Sequence, residues 1–332
     1  MDFSKKIIVI VPSLRRCGPT NQLLNIFNAL NKSNYQVNLL VLGKNIEVAI
    51  PKNVIQYRLQ SLCSDLIFNR SSIYLIISQG LLADVTNSLL PFQCGKKYSF
   101  IRNVAWIDYP TKFGFKGYIM ALLHWISFFF IGNKIFVSKY IGSCYSRFFS
   151  GIVLYNSIDI NKFYYKERIF RKGCLMTAGS LISRKRIIEL SKLVKECVEI
   201  DSFHIYGDGP LVKNIESDDR LQVFSHANNI QDIYRMYDVF VSFSLSEGFP
   251  NAALEAACCG LPLLLSDIPP HREISERFKY AILFQDGRDF NRSFSRVNDM
   301  FFKYDRKVIA AEAKSVFGHK VYSESLQKIL NV

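Results

Sequence analysis

Two acidic side chains stand in an otherwise apolar stretch of the sequence, SEGFPNAALEAACCGLPLLLSD at residues 246–267. Between Glu247 and Glu255 the only polar residue is Asn251. Carboxylates are rarely buried unless a partner compensates for their desolvation. Because a carboxylate can accept two charge-assisted O–H hydrogen bonds, the pair suits recognition of a vicinal diol such as that of a sugar. A surface helix with two incidental acids is the alternative, which the flanking LEAACCGLPLLL disfavours.

The local pattern predicts different depths for the two carboxylates. Glu247 follows the strand-like run DVFVSFS (238–244), and Pro250 and Gly260 are suited to start and stop the helix that comes next. Glu255 falls in the second turn of that helix, and its neighbours at helical spacing are small. We therefore expect Glu247 at the mouth of the helix and Glu255 about one turn deeper.

Apolar runs of strand length alternate with segments of helical length and period along nearly the whole chain. The runs lie at 6–11, 37–43, 73–78, 98–102, 134–138 and 152–156, and again at 174–179, 203–207, 221–224, 238–244, 261–266 and 281–285. Near-continuous hydrophobic strands separated by helices predict parallel sheets covered on both faces. The charged, non-periodic segment 157–172 separates the two sets. The sequence therefore predicts two doubly wound α/β domains, residues 1–160 and 161–332.

The loops that follow the strands are the expected ligand sites, because open α/β sheets bind ligands beyond the carboxyl ends of their strands. After the first strand, Gly18 permits close backbone approach and Pro19 suits the first turn of a helix. Free amides beside Arg15 and Arg16 would suit a phosphate, although a plain turn is the alternative. The GDGP at 207–210 has the same two interpretations.

The basic residues are unevenly distributed. The net charge is +14, and residues 1–165 contain 18 Lys and Arg against 6 Asp and Glu, whereas residues 166–332 contain 24 against 22. Such asymmetry indicates a polyanionic partner for the first half, either nucleic acid or an anionic membrane, with enhanced solubility as the alternative. The eight cysteines form no C-x-x-C pair, and no signal-peptide pattern is present, so a cytoplasmic protein is expected.

The most apolar stretch is residues 112–134, whose uninterrupted core is too short to span a bilayer. Lys112, Lys116 and Lys134 flank aromatic residues that include Trp125. Basic flanks with aromatic side chains suit a helix that lies in a membrane interface. A core helix that covers the first sheet is the alternative. The charge asymmetry favours membrane contact.

Segments along the second half resemble the signatures of family-4 glycosyltransferases. The E-x7-E element with its flanks resembles the donor-site signature of that family, and it is followed by SDIPPHREI. LYNSIDINKF, MTAGSLISRKRIIEL and IYGDGPL resemble three further elements in the same order (154–163, 176–190 and 205–211). The resemblance implies the GT-B fold, in which two Rossmann-like domains face each other across a cleft. It also implies a first domain that binds the acceptor and a second that binds a nucleotide-sugar, and it allows the last helix to pack back on the first domain.

The resemblance implies roles for individual residues. Lys185 would stabilise the departing diphosphate and Glu247 would face the transferred sugar, so these two are the expected catalytic residues. Glu255 would hold the ribose hydroxyls. Ser180 stands where the family has an arginine, and Arg184 or Arg186 would compensate for it. The other expected donor-binding residues are Gly248, Phe249, Asn251, Ser225, His226, Gly18 and Arg184.

The expected reaction is retaining transfer of a hexose from a UDP- or GDP-linked sugar. No D-x-D triad occurs, so we expect neither a metal nor a cofactor. A histidine that the family often has near the acceptor is missing from SQGLLAD (78–84), and the leaving phosphate can act as the base in its place.

The expected acceptor is a glycan, lipid-linked, in the assembly of a bacterial surface polysaccharide such as lipopolysaccharide or capsule. Lys112, Lys116, Trp125 and Lys134 are the candidate acceptor or membrane residues, and the protein would be peripheral on the cytoplasmic face of an anionic membrane. No nucleic acid is expected as a partner. A nucleotide-sugar epimerase of similar architecture is the alternative function, followed by a basic nucleic-acid- or membrane-binding protein without catalysis.

Overall fold

The structure, a computed structural model, describes residues 5–31, 35–68, 70–91, 95–167, 173–225, 227 and 229–332. The chain forms two compact units, one of Met1–Asn156 with Tyr322–Val332 and the other of Ser157–Val321. The chain leaves the first unit at Asn156, close to the predicted boundary at 160.

The first unit contains a sheet of seven strands whose pairs are all parallel. Its strands are β1 (Lys6–Val11), β2 (Gln36–Val41), β3 (Val54–Tyr57), β4 (Ile73–Ser78), β5 (Lys96–Ile101), β6 (Asn133–Phe136) and β7 (Ile152–Val153). Its helices are α1 (Gly18–Leu30), α2 (Leu59–Phe68), α3 (Leu81–Leu89), α4 (Ala105–Phe113), α5 (Phe115–Phe129) and α6 (Lys139–Tyr145). The strands lie in the order β3-β2-β1-β4-β5-β6-β7.

Both faces of this sheet are buried, as the apolar runs predict. Successive side chains of a strand point to opposite faces. In β1, Ile7 and Val9 pack into one core cluster with α1, while Ile8 and Ile10 pack into a second cluster with Ala83 of α3. A strand buried on both faces reads as a continuous hydrophobic run, and the prediction of parallel sheets covered on both sides is confirmed.

The end of the chain packs into the first unit. Tyr322, Leu326 and Leu330 belong to the same core cluster as α1 and one face of β1. These residues lie on the last helix, whose Gln327 donates a hydrogen bond from Nε2 to the carbonyl oxygen of Ala29 over 2.7 Å. The i, i+4, i+8 spacing of the three apolar residues gives this helix one buried face.

The second unit contains a sheet of six parallel strands. Its strands are β8 (Cys174–Ala178), β9 (Ser202–Tyr206), β10 (Leu221–Phe224), β11 (Val239–Ser242), β12 (Leu263–Ser266) and β13 (Ala281–Phe284). Its helices are α7 (Ile187–Glu196), α8 (Ile230–Tyr234), α9 (Asn251–Cys258), α10 (Pro269–Ser275), α11 (Gly287–Lys303), α12 (Arg306–Phe317) and the start of α13 (His319–Leu330), the last helix. The strand order is β10-β9-β8-β11-β12-β13.

Each sheet reverses its strand order at its first strand. In the first unit β1 lies between β2 and β4, and in the second β8 lies between β9 and β11. At such a point the connections on either side leave in opposite directions, and the crevice beyond the carboxyl ends binds ligands. The loops after β8 and β11 hold Lys185 and Glu247, so the topology alone brings these two predicted residues to one crevice.

The inward face of helix α5 consists of mostly small or polar residues together with one large apolar residue, Phe128. Gly117 is buried, and a Cβ there would lie 2.2 Å from the carbonyl oxygen of Tyr109 on α4, so glycine is what lets the two helices pack closely. His124, also inward, has Nε2 2.6 Å from Asp84 Oδ2 and Nδ1 2.9 Å from the hydroxyl of Tyr109. Ser78 donates to the other oxygen of Asp84. This buried network fixes α5 to α3 and α4.

The outward face of α5 is a continuous apolar stripe. Its residues follow helical spacing and are all more than one-third exposed: Phe115, Tyr118, Ile119, Leu122, Leu123, Ile126 and Phe129. Trp106, Ile107 and Phe113 of α4 are exposed as well. Among the described residues, no helix is both long and apolar enough to cross a membrane.

Candidate functional site

The loop after β8 is held in place by the GDGP turn that follows β9. A Cβ at Gly207 would lie 1.8 Å from the carbonyl oxygen of Gly179, and the φ of Gly207 is +153°, so only glycine fits there. Gly179 donates its amide hydrogen to the carbonyl oxygen of Tyr206, and Leu181 donates to that of Asp208. The glycines of this turn therefore support the loop that carries the cations, in addition to ending a strand.

Two cations from this loop meet Glu247. Lys185 Nζ lies 2.5 Å from Glu247 Oε1, and Arg184 Nη1 lies 3.0 Å from Glu247 Oε2. Arg184 also donates to the carbonyl oxygen of Ser246 over 2.6 Å, and Ser244 Oγ donates to Glu247 Oε1 over 2.7 Å. The two loops are joined through their backbones as well, by the amide of Leu245 and the carbonyl of Arg184.

Glu247 is ionised at every pH at which the protein is expected to work. Its side chain is only 8% exposed, and burial alone would raise its pKa. Lys185 and Arg184 outweigh that effect and lower the pKa of Glu247 to about 2. Both of its oxygens are engaged, so in this structure Glu247 is the anchor that orders two cations.

The side chain of Arg186 contacts Phe243 and Glu189 and makes no ion pair with Glu247 in the described structure. It has a left-handed backbone conformation with φ of 49°, which turns its side chain away from its two basic neighbours. Its guanidinium carbon lies 3.8 Å from the centre of the Phe243 ring, and its Nε lies 3.7 Å from Glu189. Of the two arginines that the sequence leaves as candidates, the structure therefore brings Arg184 to Glu247.

A pocket opens beside this cluster at the carboxyl ends of β8 and β11. Gly179, Ser180, Lys185, Ser242 and Pro250 are among the residues that line it. Because Ser180 has a short uncharged side chain, the positive charge at this pocket comes from the 3-10 turn that holds Arg184 and Lys185. Gly248 and Phe249 lie in the loop before α9, and Asn251 is the first residue of α9.

Glu255 lies deeper on α9 and is buried. Its Oε2 accepts a hydrogen bond from the Tyr234 hydroxyl over 3.0 Å. Burial raises the pKa of Glu255 to about 7, although the Tyr234 hydrogen bond and the positive charge of Lys162 oppose this rise. Glu255 is therefore poised to exchange a proton near neutral pH, unlike Glu247.

Three further residues were predicted to bind the donor: Ser225, His226 and Gly18. Ser225 directly follows β10 and is exposed at the carboxyl end of that strand. His226 lies outside the described residues. Gly18 is the first residue of α1 in the first unit, with Cys17 as its N-cap.

The four candidate membrane residues have different environments. Lys112 and Lys116 are exposed, near the turn between α4 and α5. Trp125 is half-buried and packs edge-on against Phe129, Phe148 and Phe149. Lys134 differs from the flanking position that the sequence suggests, because it is 8% exposed and its ammonium lies 5.0 Å from the centre of the Phe149 ring. Lys134 is therefore not part of an accessible basic rim.

Three site residues were not found from the sequence. Tyr234 lies far from Glu255 along the chain, and no local pattern links the two. Ser244 follows β11 three positions before Glu247, so its place at a strand end was a usable signal. His271 is fully buried, its Nδ1 donates to the carbonyl oxygen of Ser266, and burial lowers its pKa to about 4. A neutral His271 adds no further positive charge near Glu247.

No group of three or more His, Cys, Asp or Glu side chains that could hold a metal ion occurs among the described residues. The charge-bearing groups at the pocket are instead Lys185, Arg184 and Glu247. Fixed cations at a site of this kind can stabilise a diphosphate or another oxyanion.

Known proteins similar to this chain are glycosyltransferases. The sequence model of the family "Glycosyl transferases group 1" matches residues 173–297. The O-antigen biosynthesis glycosyltransferase WclY of Escherichia coli is 24% identical in an alignment of 297 positions that covers 82% of this chain and 83% of WclY. A second Escherichia coli protein, UDP-Gal:alpha-D-GlcNAc-diphosphoundecaprenol alpha-1,3-galactosyltransferase, is 34% identical in an alignment of 140 positions that covers 35% of this chain and 36% of that protein.

Several curated relatives match only in part, because the shared segments cover between 21% and 46% of their own length. The fold extends over the whole chain. The crystal structure of Anabaena HepE in complex with UDP has a TM-score of 0.75 at 13% identity, covering 98% of this chain and 99% of HepE.

These similarities establish the fold of the chain and a sequence match in its second half. The chain has the GT-B fold, with two doubly wound α/β units, as the sequence predicts. Residues 173–297, which contain Arg184, Lys185, Glu247 and Glu255, match the sequence model of the glycosyl transferases group 1.

Proposed function

We propose that the protein is a retaining glycosyltransferase that moves a hexose from a nucleotide-diphosphate sugar to a glycan acceptor in surface polysaccharide assembly. The observation that carries this proposal is the cluster of Lys185, Arg184 and Glu247 beside a pocket at the strand-order reversal of the second sheet. It lies within the segment that matches the glycosyltransferase family. The WclY similarity over most of the chain supports a polysaccharide as the product.

In the proposed reaction the bond between the sugar C1 and the diphosphate oxygen breaks, and an acceptor hydroxyl oxygen bonds to C1 on the same face. The acceptor proton passes to the leaving phosphate. Lys185 and Arg184 offset the negative charge that grows on the diphosphate, which is the part of the reaction that fixed cations accelerate most. Arg184 supplies the positive charge that the uncharged Ser180 lacks.

Glu247 acts in this proposal by positioning the two cations. Its carboxylate contacts both, and its low pKa keeps the cluster intact across the physiological pH range. The net charge of two cations and one anion is positive, so the cluster still attracts a diphosphate. Glu255 holds the ribose hydroxyls with the oxygen that Tyr234 leaves available.

The acceptor is lipid-linked in this proposal, and the first unit docks on the cytoplasmic face of an anionic membrane. The apolar stripe of α5 supports this, since a helix that exposes most of its large apolar side chains suits a lipid interface. Lys112 and Lys116 lie beside the stripe, where ammonium groups can meet anionic headgroups. The UDP-Gal:alpha-D-GlcNAc-diphosphoundecaprenol alpha-1,3-galactosyltransferase similarity is consistent with a lipid diphosphate on the acceptor.

The test is incubation of the purified protein with UDP- and GDP-linked hexoses, in the presence and absence of lipid-linked acceptors. We expect mass spectrometry to show consumption of one donor with an acceptor, and NMR of the product to show retained anomeric configuration. EDTA should leave the rate unchanged, because the proposed cluster needs no metal. If no nucleotide-sugar is consumed or bound, the enzymatic proposal is wrong, and oligonucleotide binding then becomes the next measurement.

Glu255 should make donor binding dependent on pH. The ionised carboxylate accepts hydrogen bonds from both ribose hydroxyls better than the acid does, so donor affinity should rise between pH 6 and pH 8, around its pKa of about 7. Glu255→Gln removes the charge and should weaken binding by about 1.5 kcal/mol, roughly tenfold, at pH 8. Isothermal titration calorimetry with the nucleotide-sugar across this pH range checks both.

The stability of the unliganded protein should change with pH in the opposite direction. The pKa of Glu255 in the folded state lies above that of an exposed glutamate, so its contribution is present in acid and is lost as the pH rises through about 7. Because glutamine does not titrate, the melting temperature of Glu255→Gln should fall less than that of the wild type as the pH rises through about 7. Donor affinity that depends on pH equally in both proteins would exclude Glu255 from the ribose site.

A further inference from the structure

At the carboxyl ends of the first sheet's strands, one cation has no carboxylate partner among the residues that the structure describes. Arg102 directly follows β5, and its Nε donates to Gln79 Oε1 over 2.7 Å while its Nη1 donates to Asn156 Oδ1 over 2.9 Å. Both partners are neutral amide oxygens. Its Nη2 is shielded from solvent and has no hydrogen-bond partner among the described residues.

Arg102 carries a full charge in this environment. Burial lowers its pKa only to about 10, so the guanidinium is positive at neutral pH. In the part of the chain that the structure describes, no carboxylate forms an ion pair with it. A shielded charge is costly unless an opposite charge compensates for it. In the second unit Glu247 provides that compensation, whereas among the described residues no carboxylate does so at Arg102.

The start of α1 adds to the positive potential beside Arg102. Gln79, which binds Arg102 Nε, also donates from Nε2 to the carbonyl oxygen of Pro19 over 3.4 Å. Helix α1 has no acidic residue in its first turn and no side-chain cap at Cys17. A helix N-terminus with a guanidinium beside it is a favourable place for an oxyanion.

Arg102 also lies next to the proposed membrane surface in the chain. Residues 102–104 connect β5 to α4, and α4 and α5 carry the exposed apolar side chains. The amide of Ala105 donates to the Tyr145 hydroxyl, and Asn103 donates to Asp108, so this connection is held by hydrogen bonds. A ligand at Arg102 would therefore lie beside the segment that meets lipid.

We propose that Arg102 binds a phosphate of the acceptor, in the diphosphate that joins its glycan to its lipid. This inference rests on the proposed function and names the partner group of the first unit. A guanidinium suits a phosphate because its N–H groups form charge-assisted hydrogen bonds, and Nη2 of Arg102 has no partner of this kind among the described residues. The phosphate fixes the glycan at a constant distance from the lipid, so Arg102 contributes to the choice of acceptor.

The experiment compares two acceptors that share one sugar, the first on a short-chain isoprenyl diphosphate and the second on a neutral alkyl glycoside. For the wild-type protein we expect a KM at least tenfold lower for the diphosphate acceptor. Arg102→Gln should remove that preference, while its KM for the alkyl glycoside and its affinity for the nucleotide-sugar stay at wild-type values. Arg58→Gln, at an exposed arginine of the same unit, is the matched control and should behave as wild type.

The result can overturn the inference in three ways. An equal rise in KM for both acceptors would assign Arg102 a structural role, and weaker nucleotide-sugar binding would identify the donor as the source of the phosphate. An unchanged preference would exclude any phosphate contact. If no transferase activity is found at all, calorimetric binding of isoprenyl diphosphate to wild type and Arg102→Gln still tests the site, so its failure and that of the proposed function are separable.

Discussion

Replacing Lys185 by alanine is expected to lower kcat about 10²–10³-fold, the loss typical when one preorganised group that stabilises developing negative charge is removed. Lys185 Nζ lies 2.5 Å from Glu247 Oε1 at the mouth of the pocket, where a diphosphate would depart. The nucleotide affinity should fall less than kcat, because the charge on the leaving group is largest in the transition state. Steady-state kinetics with the identified donor, together with calorimetric binding of the free nucleotide, separate the two effects.

Two comparisons make this result specific. Lys192→Ala removes an exposed lysine of α7 in the same unit and should keep wild-type turnover. Glu247→Gln breaks the anchor of both cations, and the double variant with Lys185→Ala should lose less than the sum of the two single losses because the residues act as one unit. Normal turnover in Lys185→Ala, with loss in Arg184→Ala, would transfer the role to Arg184.

The second large effect is expected at the apolar stripe of α5. Ile119→Glu, Leu122→Glu and Ile126→Glu together should reduce binding to anionic vesicles at least 100-fold. Each of these three residues is between 42% and 51% exposed. Covering the exposed part of one such side chain with lipid contributes about 1 kcal/mol to binding, or roughly 3 kcal/mol for the three. Vesicle flotation and sedimentation measure the loss, and donor binding in the second unit should be unchanged.

The charged part of this interaction can be measured separately. Lys112→Glu with Lys116→Glu should weaken binding by roughly fivefold or more for each lysine at low salt, and the difference should shrink as salt is raised. Leu89→Glu, at an exposed leucine of α3, is the control for adding a carboxylate elsewhere on the first unit. If the stripe variant still floats but changes its oligomeric state in solution, the stripe is a protein interface and the membrane proposal is wrong.

Much of the fold could be predicted from the sequence because parallel strands buried on both faces are locally recognisable. The runs at 6–11, 73–78 and 221–224 coincide with β1, β4 and β10. Strand β3 was missed because only its first and last residues, Val54 and Tyr57, are buried, so it forms no continuous apolar run. At the other edge β7 is shorter than predicted, since an edge strand has pairing on one side only.

The sequence predicted several residues of the candidate site, but it did not predict which of them contact one another. The sequence determined that Lys185 and Glu247 follow two strands, and the order of strands and helices is a local property of the chain. Which of three consecutive basic residues meets Glu247 depends on the left-handed turn at Arg186 and on the ring of Phe243. That contact joins distant segments, so only the tertiary structure decided it.

The same division holds for the first unit. The sequence by itself determined that residues 112–134 are apolar with basic flanks, but a helix that is apolar on most sides does not show which side faces the sheet. The structure decided this through Gly117, which lets α4 approach, and through His124, which can be buried only because Asp84 and Tyr109 satisfy its ring nitrogens. It also decided that Lys134 is buried and that Arg102 has no carboxylate partner in the described part of the chain, because burial and charge compensation depend on residues that are neighbours in space rather than in sequence.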